Sequence, residues 1–202
     1  MKRNQLIFSS VIFLVMSACC IVYTCRAAVA YTMYFKAKFG SANQDAGGIL
    51  NLCESASRFY GHNYNFCIWT AESAYYSSFK MNWNDAKEYI AEASRWCDAG
   101  LALNPYRSQL RRLKTCLIAR SSPVEAVHYW ERYVDWQYWA PANHALLVEL
   151  YALAGDFDKA VDSLALIRGS DCYEEAAKRL SSEWKKETTL PQELSGKLSI
   201  QP

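Results

Sequence analysis

The chain has 202 residues, of which 51% are apolar and 21% charged, with a formal net charge of +2. That size holds one domain, or one domain with an anchor, and the balance fits a folded body rather than a disordered chain. A near-neutral total gives no global basic footprint for nucleic acid, and eight glycines are too few for a turn-dense β fold or a glycine-loop nucleotide site.

Lys2 and Arg3 precede an uncharged stretch that ends only at Arg26. Residues 6–25 read LIFSSVIFLVMSACCIVYTC, which as a helix spans about 30 Å, one hydrocarbon core. The length favours a transmembrane signal-anchor behind a basic N-terminus of residues 1–5. Two other readings stay open: a cleaved signal with Ala28-Val29-Ala30 before Tyr31, and a lipoprotein signal with Met16-Ser17-Ala18-Cys19. A removable signal has an apolar core of roughly 7–15 residues, shorter than this one. All three readings place residues 31–202 outside the cytoplasm, in the periplasm if the cell is bacterial.

Cys19, Cys20 and Cys25 belong to the apolar run, which leaves Cys53, Cys67, Cys97, Cys116 and Cys172 for the body. None forms a CxxC pair and no His stands at ligand spacing from a Cys, so no metal site is expected. These thiols read as small hydrophobes in helices.

Residues 26–45 read as a juxtamembrane collar and hinge. Tyr31, Tyr34, Phe35 and Phe39 mixed with Lys36 and Lys38 are the types that sit at headgroup level. From residue 46 to residue 187 the pattern is helical throughout. Asn84 is the expected cap of one helix, whose apolar side runs through Ala93, Trp96 and Cys97 to Asn104-Pro105. Leu110, Leu113 and Leu117 mark the next helix. Ser122-Pro123-Val124-Glu125 starts another, a capping box with proline at the first helical position. Leu146, Leu147, Leu150 and Tyr151 follow, closed by Gly155, and Asp156 caps the helix of Ala160 and Leu164. Ser170-Asp171 opens a last helix with Ala176, Leu180 and Trp184. Residues 188–202 show no periodicity and read as a disordered tail.

These short helices repeat. A period of 34 residues superposes Ala126 on Ala160, Leu113 on Leu147, Leu117 on Tyr151, Trp130 on Leu164 and Tyr133 on Ile167; Ala93 lies 33 residues upstream of Ala126. The best copy is Leu147-(x)3-Tyr151-(x)2-Ala154-Gly155-Asp156-Phe157-Asp158-Lys159-Ala160, and Ala99-Gly100-Leu101-Ala102-Leu103-Asn104-Pro105 supplies a repeat ending. Both segments resemble the tetratricopeptide repeat. The middle copy departs from it, with Lys114 and Leu117 at a small and an aromatic position and no Gly-Asp turn. The resemblance implies an all-α protein: a short α-solenoid of antiparallel helix pairs over residues 46–187, with a C-terminal capping helix, behind an N-terminal transmembrane helix. The competing architecture is an irregular helical bundle.

The residues offer little for catalysis. His62, His128 and His144 are far apart and belong to no HExxH motif. Asp156, Asp158 and Asp162 lack the glycine turn and terminal glutamate of a calcium loop. No catalytic residue, cofactor or metal is expected. The repeat resemblance instead implies a concave groove, lined by the first helix of each pair, for a protein or peptide partner. Tyr75, Arg107, Arg111, Thr115 and Glu149 are its candidate lining residues. A basic run at residues 107–120, with no acid between Tyr106 and Val124, suits acidic or C-terminal carboxylate ligands; its plainer reading is a solvated face paired with Glu88, Glu92 or Asp98. Trp136, Tyr138 and Trp139 form a second candidate surface, because Trp and Tyr anchor protein interfaces. The functional expectation is a membrane-anchored extracytoplasmic adaptor in envelope assembly, secretion or a membrane complex. An envelope enzyme, thiol-dependent or glycan-directed, is the alternative.

Overall fold

The computed structural model describes residues 2–40 and 46–198, and every regular element among them is an α-helix. The chain divides into two compact units, one ending at Leu113 and one beginning at Lys114. The first contains α1 (Lys2–Phe39), α2 (Ala46–Phe59), α3 (Tyr64–Ser78), α4 (Trp83–Leu103) and the start of α5 (Ser108–Ala119). The second contains the rest of α5, then α6 (Pro123–Val134), α7 (Pro141–Leu153), α8 (Phe157–Leu166) and α9 (Tyr173–Leu198).

In the first unit, α1 has two different halves. Ile7, Phe8, Val11, Phe13, Leu14 and Val15 are exposed, and this helix is long and apolar enough to cross a membrane. From Tyr23 onward the same helix packs on the body. Ala30 and Ala37, seven residues apart and so on one face, are fully buried, and Ala30 clusters with Ala56 and Phe66. Small residues there let α2 and α3 approach closely. Phe59 and Tyr60, at the end of α2, meet Arg26 and Tyr23, so α2 runs back antiparallel to α1. The collar of residues 26–45 is therefore helical to Phe39 and joined to the body. α2 packs against both α1 and α3. The hinge expected at residues 41–45 lies outside the described residues.

Local caps fix the remaining boundaries of this unit. Asn63 caps α3 by accepting from the Asn65 amide at 3.0 Å. Asn82, not Asn84, caps α4: its Oδ1 accepts from the Asn84 and Asp85 amides, both at 3.1 Å. The Asn82 amide side chain also donates to Asp85 at 2.8 Å, which favours the earlier start. α3 and α4 pack as a pair around Ala71, Ala74 and Ala93, all fully buried. At Gly100 a Cβ would fall 2.5 Å from Leu110 Cδ1 and 2.9 Å from Cys67 Cβ, so only glycine permits this approach.

The second unit has its own core of Ala126, Trp130, Tyr133, Leu146, Leu150, Tyr151, Ala160 and Ile167. Trp130 satisfies its buried indole N–H by donating to the Asn143 carbonyl at 3.0 Å. Ser122 accepts from the Glu125 amide at 3.3 Å and Pro123 begins α6, the start read from sequence. Gly155 takes φ +80°, a left-handed turn in which the Asp156 amide reaches back to the Tyr151 carbonyl at 2.9 Å. Asp156 then caps α8 through the Lys159 amide. Ala176 and Leu180 of α9 cover the ends of α7 and α8 as a capping helix does.

α9 continues to Leu198, past residue 187, where loss of periodicity predicts a disordered tail. Pro191 falls inside this extension, so intrinsic propensity does not account for it. Residues 199–202 of that expected tail lie outside the described residues.

Candidate functional site

A cleft in the first unit is lined by Tyr34 and Lys38 of α1, by Asn65, Ile68, Trp69 and Glu72 of α3, and by Arg107 and Gln109. The ammonium of Lys38 lies 5.6 Å from the Trp69 ring centre and 5.8 Å from that of Tyr34. These are cation–π distances that hold the charge over the opening. Arg107 stacks 5.6 Å from the Tyr64 ring, and its Nη2 donates to Gln109 Oε1 at 3.3 Å. The acid of the cleft is engaged: Glu72 accepts from Gln109 Nε2 at 2.6 Å.

Two donors in this cleft are unmet. The indole N–H of Trp69 and the Nε–H of Arg107 are both buried without an acceptor. Buried polar groups normally find partners, because each unmet one costs on the order of 1–3 kcal/mol. Lys38, Arg107 and Trp69 together make a region rich in donors whose one carboxylate is already engaged, a composition that suits an anion.

Of the residues singled out from sequence, Tyr75, Arg107 and Arg111 belong to the first unit, and Thr115, Glu149, Trp136, Tyr138 and Trp139 to the second. Arg107 lines the cleft. Arg111 instead donates its Nε to the Pro105 carbonyl at 2.7 Å, bracing the turn before α5. Tyr75 is half-buried, 5.0 Å edge-on to Phe79. Thr115 is fully buried and offers no surface to a ligand, which corrects its place among groove residues. Three- and four-residue spacing on α5 puts Leu110, Leu113 and Leu117 inside, but the buried arc is wide enough to take Thr115 too. Glu149 pairs with Arg179 of α9 beside Leu153 and Glu183. Glu92, considered as a partner for the basic run, is held by Arg95 and Trp96 of its own helix, and the Arg95 hydrogen bond lowers its pKa.

Trp136, Tyr138 and Trp139 are exposed at 48%, 68% and 65%. Their loop is held from below. Buried Asn143 donates to the Gln137 carbonyl at 3.1 Å, Tyr133 donates to Gln137 Oε1 at 2.8 Å, and His144 Nε2–H donates to the Tyr138 carbonyl at 2.6 Å. The aromatics stand on a braced turn.

Lys38, Tyr34 and Trp69 are the cleft residues that periodicity and motifs miss as ligand contacts. Lys38 and Tyr34 are visible only as part of a collar, and their signal is the Ala30 and Ala37 spacing that turns that collar into a packed helix. Cys53 and Cys67 are buried, and burial pushes both thiols from the ordinary value of 9.0 up to about 11. They stay protonated and are poor nucleophiles. Among the described residues, no three His, Cys, Asp or Glu gather where they would hold a metal ion.

No protein-family model matches the chain, and no curated protein matches it. Among solved structures, it is similar to a thermophilic TPR protein of Thermus thermophilus, with a TM-score of 0.60 and 16% sequence identity. The match covers 78% of this chain and 80% of that one. With its all-helical elements, its paired helices and the Gly155-Asp156 turn, the chain has a tetratricopeptide-like fold.

Proposed function

We propose that the chain is a membrane-anchored adaptor that binds a protein or peptide partner through its helical-repeat body. The exposed apolar half of α1 crosses the bilayer, and the short basic N-terminus with Lys2 and Arg3 keeps the body on the extracytoplasmic side. Envelope assembly, secretion and the scaffolding of a membrane complex are the settings this layout serves.

The observation that carries the reading is the cleft of Lys38, Trp69 and Arg107, where buried donors lack acceptors inside a fold of paired helices. An acidic peptide segment supplies what is missing: a carboxylate for the cations and an apolar side chain against Ile68 and Trp69. The test is fluorescence anisotropy of labelled peptides rich in aspartate and glutamate, titrated with the detergent-solubilised full chain. Lysine-substituted peptides serve as controls. Acidic peptides are expected to bind, and Lys38→Glu or Arg107→Glu to weaken them at least tenfold. Equal affinity for acidic and basic peptides, or variants that bind like the parent, sinks the reading.

A further inference from the structure

The turn joining α2 to α3 is tied to α1 at one height on that helix. Arg26 Nε donates to the Phe59 carbonyl at 3.1 Å, satisfying an orphan acceptor at the C-terminal end of α2. One turn earlier on α1, the Tyr23 hydroxyl donates to that of Tyr60 at 3.0 Å, with the rings edge-on at 5.3 Å. His62 follows, edge-on to Tyr60 at 6.2 Å. Phe59 is nevertheless 41% exposed, an aromatic left uncovered at the foot of the body.

That height is where the apolar run of α1 stops. Residues 6–25 span about 30 Å as a helix, so a bilayer that takes this run has its polar boundary close to Tyr23 and Arg26. Below the tie, a shallow groove lined by Ala18, Cys19, Val22 and Tyr23 has Arg26 at its polar end. An acyl chain fits the apolar part of such a groove, and its headgroup fits the arginine.

We infer that the α2–α3 turn is a second membrane contact, in which Phe59 and Tyr60 enter the lipid headgroup region beside α1 and seat the repeat body on the bilayer surface. The amphipathic ring of Tyr60 suits that zone, and the exposed apolar ring of Phe59 reaches its inner, acyl-chain side. The inference rests on α1 crossing the membrane, but it adds a contact that a simple tether does not need. A flexible anchor leaves the turn in water. Here the hydrogen bonds to Tyr23 and Arg26 hold it at the boundary.

The experiment places a photoreactive benzoylphenylalanine at one of three positions in the full-length, membrane-inserted chain, and lipid adducts are read by mass spectrometry. Phe13, 71% exposed within the apolar run, reports the span; Phe59 reports the turn; Phe79, 59% exposed at the other end of α3, reports the body away from it. Lipid adducts at Phe13 and Phe59 with none at Phe79 are expected. Adducts at Phe13 alone overturn the second contact and leave the anchor standing. No adduct at Phe13 overturns the anchor itself, and with it this inference. Adducts at all three positions show a body lying along the bilayer and contradict a contact confined to the turn.

Discussion

The phenolic oxygen of Tyr31, on α1, accepts a hydrogen bond from Nδ2 of Asn63 at 2.9 Å, while Oδ1 of the same asparagine caps α3. One side chain thus starts a body helix and ties it to the helix that carries the apolar run. Beside it, Phe66 is fully buried between the rings of Tyr31 and Tyr34, at 5.4 and 5.0 Å. Asn63→Ala removes the cap and the tie together and is expected to cost about 1–2 kcal/mol, against about 0.5–1.5 kcal/mol for Tyr31→Phe. Urea unfolding of the two variants and their double mutant checks this. The pair shares one bond, so the double mutant is expected to lose less than the sum; strict additivity contradicts the contact.

Two glycines separate two kinds of constraint. Gly155→Ala forces a side chain into the left-handed region with nothing within 4 Å of the new Cβ, so the cost is backbone strain of about 1–2 kcal/mol. Gly100→Ala meets Leu110 and Cys67 instead, and the crowding costs about 1–3 kcal/mol. Leu110 is fully buried, so Leu110→Ala carries its own cost, but Gly100→Ala and Leu110→Ala combined are expected to lose less than the sum of the two single variants, whereas no neighbouring truncation couples to Gly155→Ala. Thermal denaturation of Gly155→Ala, Gly100→Ala, Leu110→Ala and the Gly100→Ala, Leu110→Ala double variant distinguishes the cases.

Alkaline pH tests the buried thiols. An unfolded chain releases the protons of Cys53 and Cys67 near pH 9, whereas burial in the folded chain holds them to about pH 11. Between those values the unfolded state binds fewer protons, so stability falls as pH rises from about 9 to 11. Denaturation midpoints measured across that window in the parent and in a Cys53→Ala, Cys67→Ala variant check the sign. The variant is expected to show a shallower decline.

Much of the fold is legible in the residues. The superposed small positions Ala93, Ala126 and Ala160 are each fully buried, because helices crossing closely leave no room for a side chain beyond a methyl. The Gly155-Asp156 turn is legible for the same kind of reason: one residue supplies the left-handed backbone and the next the cap. The role of residues 26–39 is hidden, since a long apolar run dominates any local reading and conceals the point where one helix passes from exposed apolar side chains to packing on the body. Thr115 misleads because its polarity says surface while its position on α5 says core. The cleft depends on Lys38, Trp69 and Arg107, which lie far apart in sequence and carry no spacing signal.

Asn143 makes the exposed aromatic loop testable apart from the cleft. Asn143→Ala leaves its own carbonyl for Trp130 but removes the side-chain donor to the Gln137 carbonyl, at a cost of about 1–3 kcal/mol. The loop carrying Trp136, Tyr138 and Trp139 is then expected to exchange its amide hydrogens faster, with α6 and α7 unchanged. Exchange at the parent rate would show that Tyr133 and His144 hold the loop without it.

α1 is one continuous helix whose second half packs in the repeat body, and in the proposed arrangement its first half crosses the membrane. A signal peptidase cut after Ala30 would sever that helix at a fully buried residue. The direct measurement is the intact mass of the chain extracted by detergent from the membranes of cells that express it. The mass of the full chain, residues 1–30 included, is expected. A mature protein beginning at Tyr31 contradicts it.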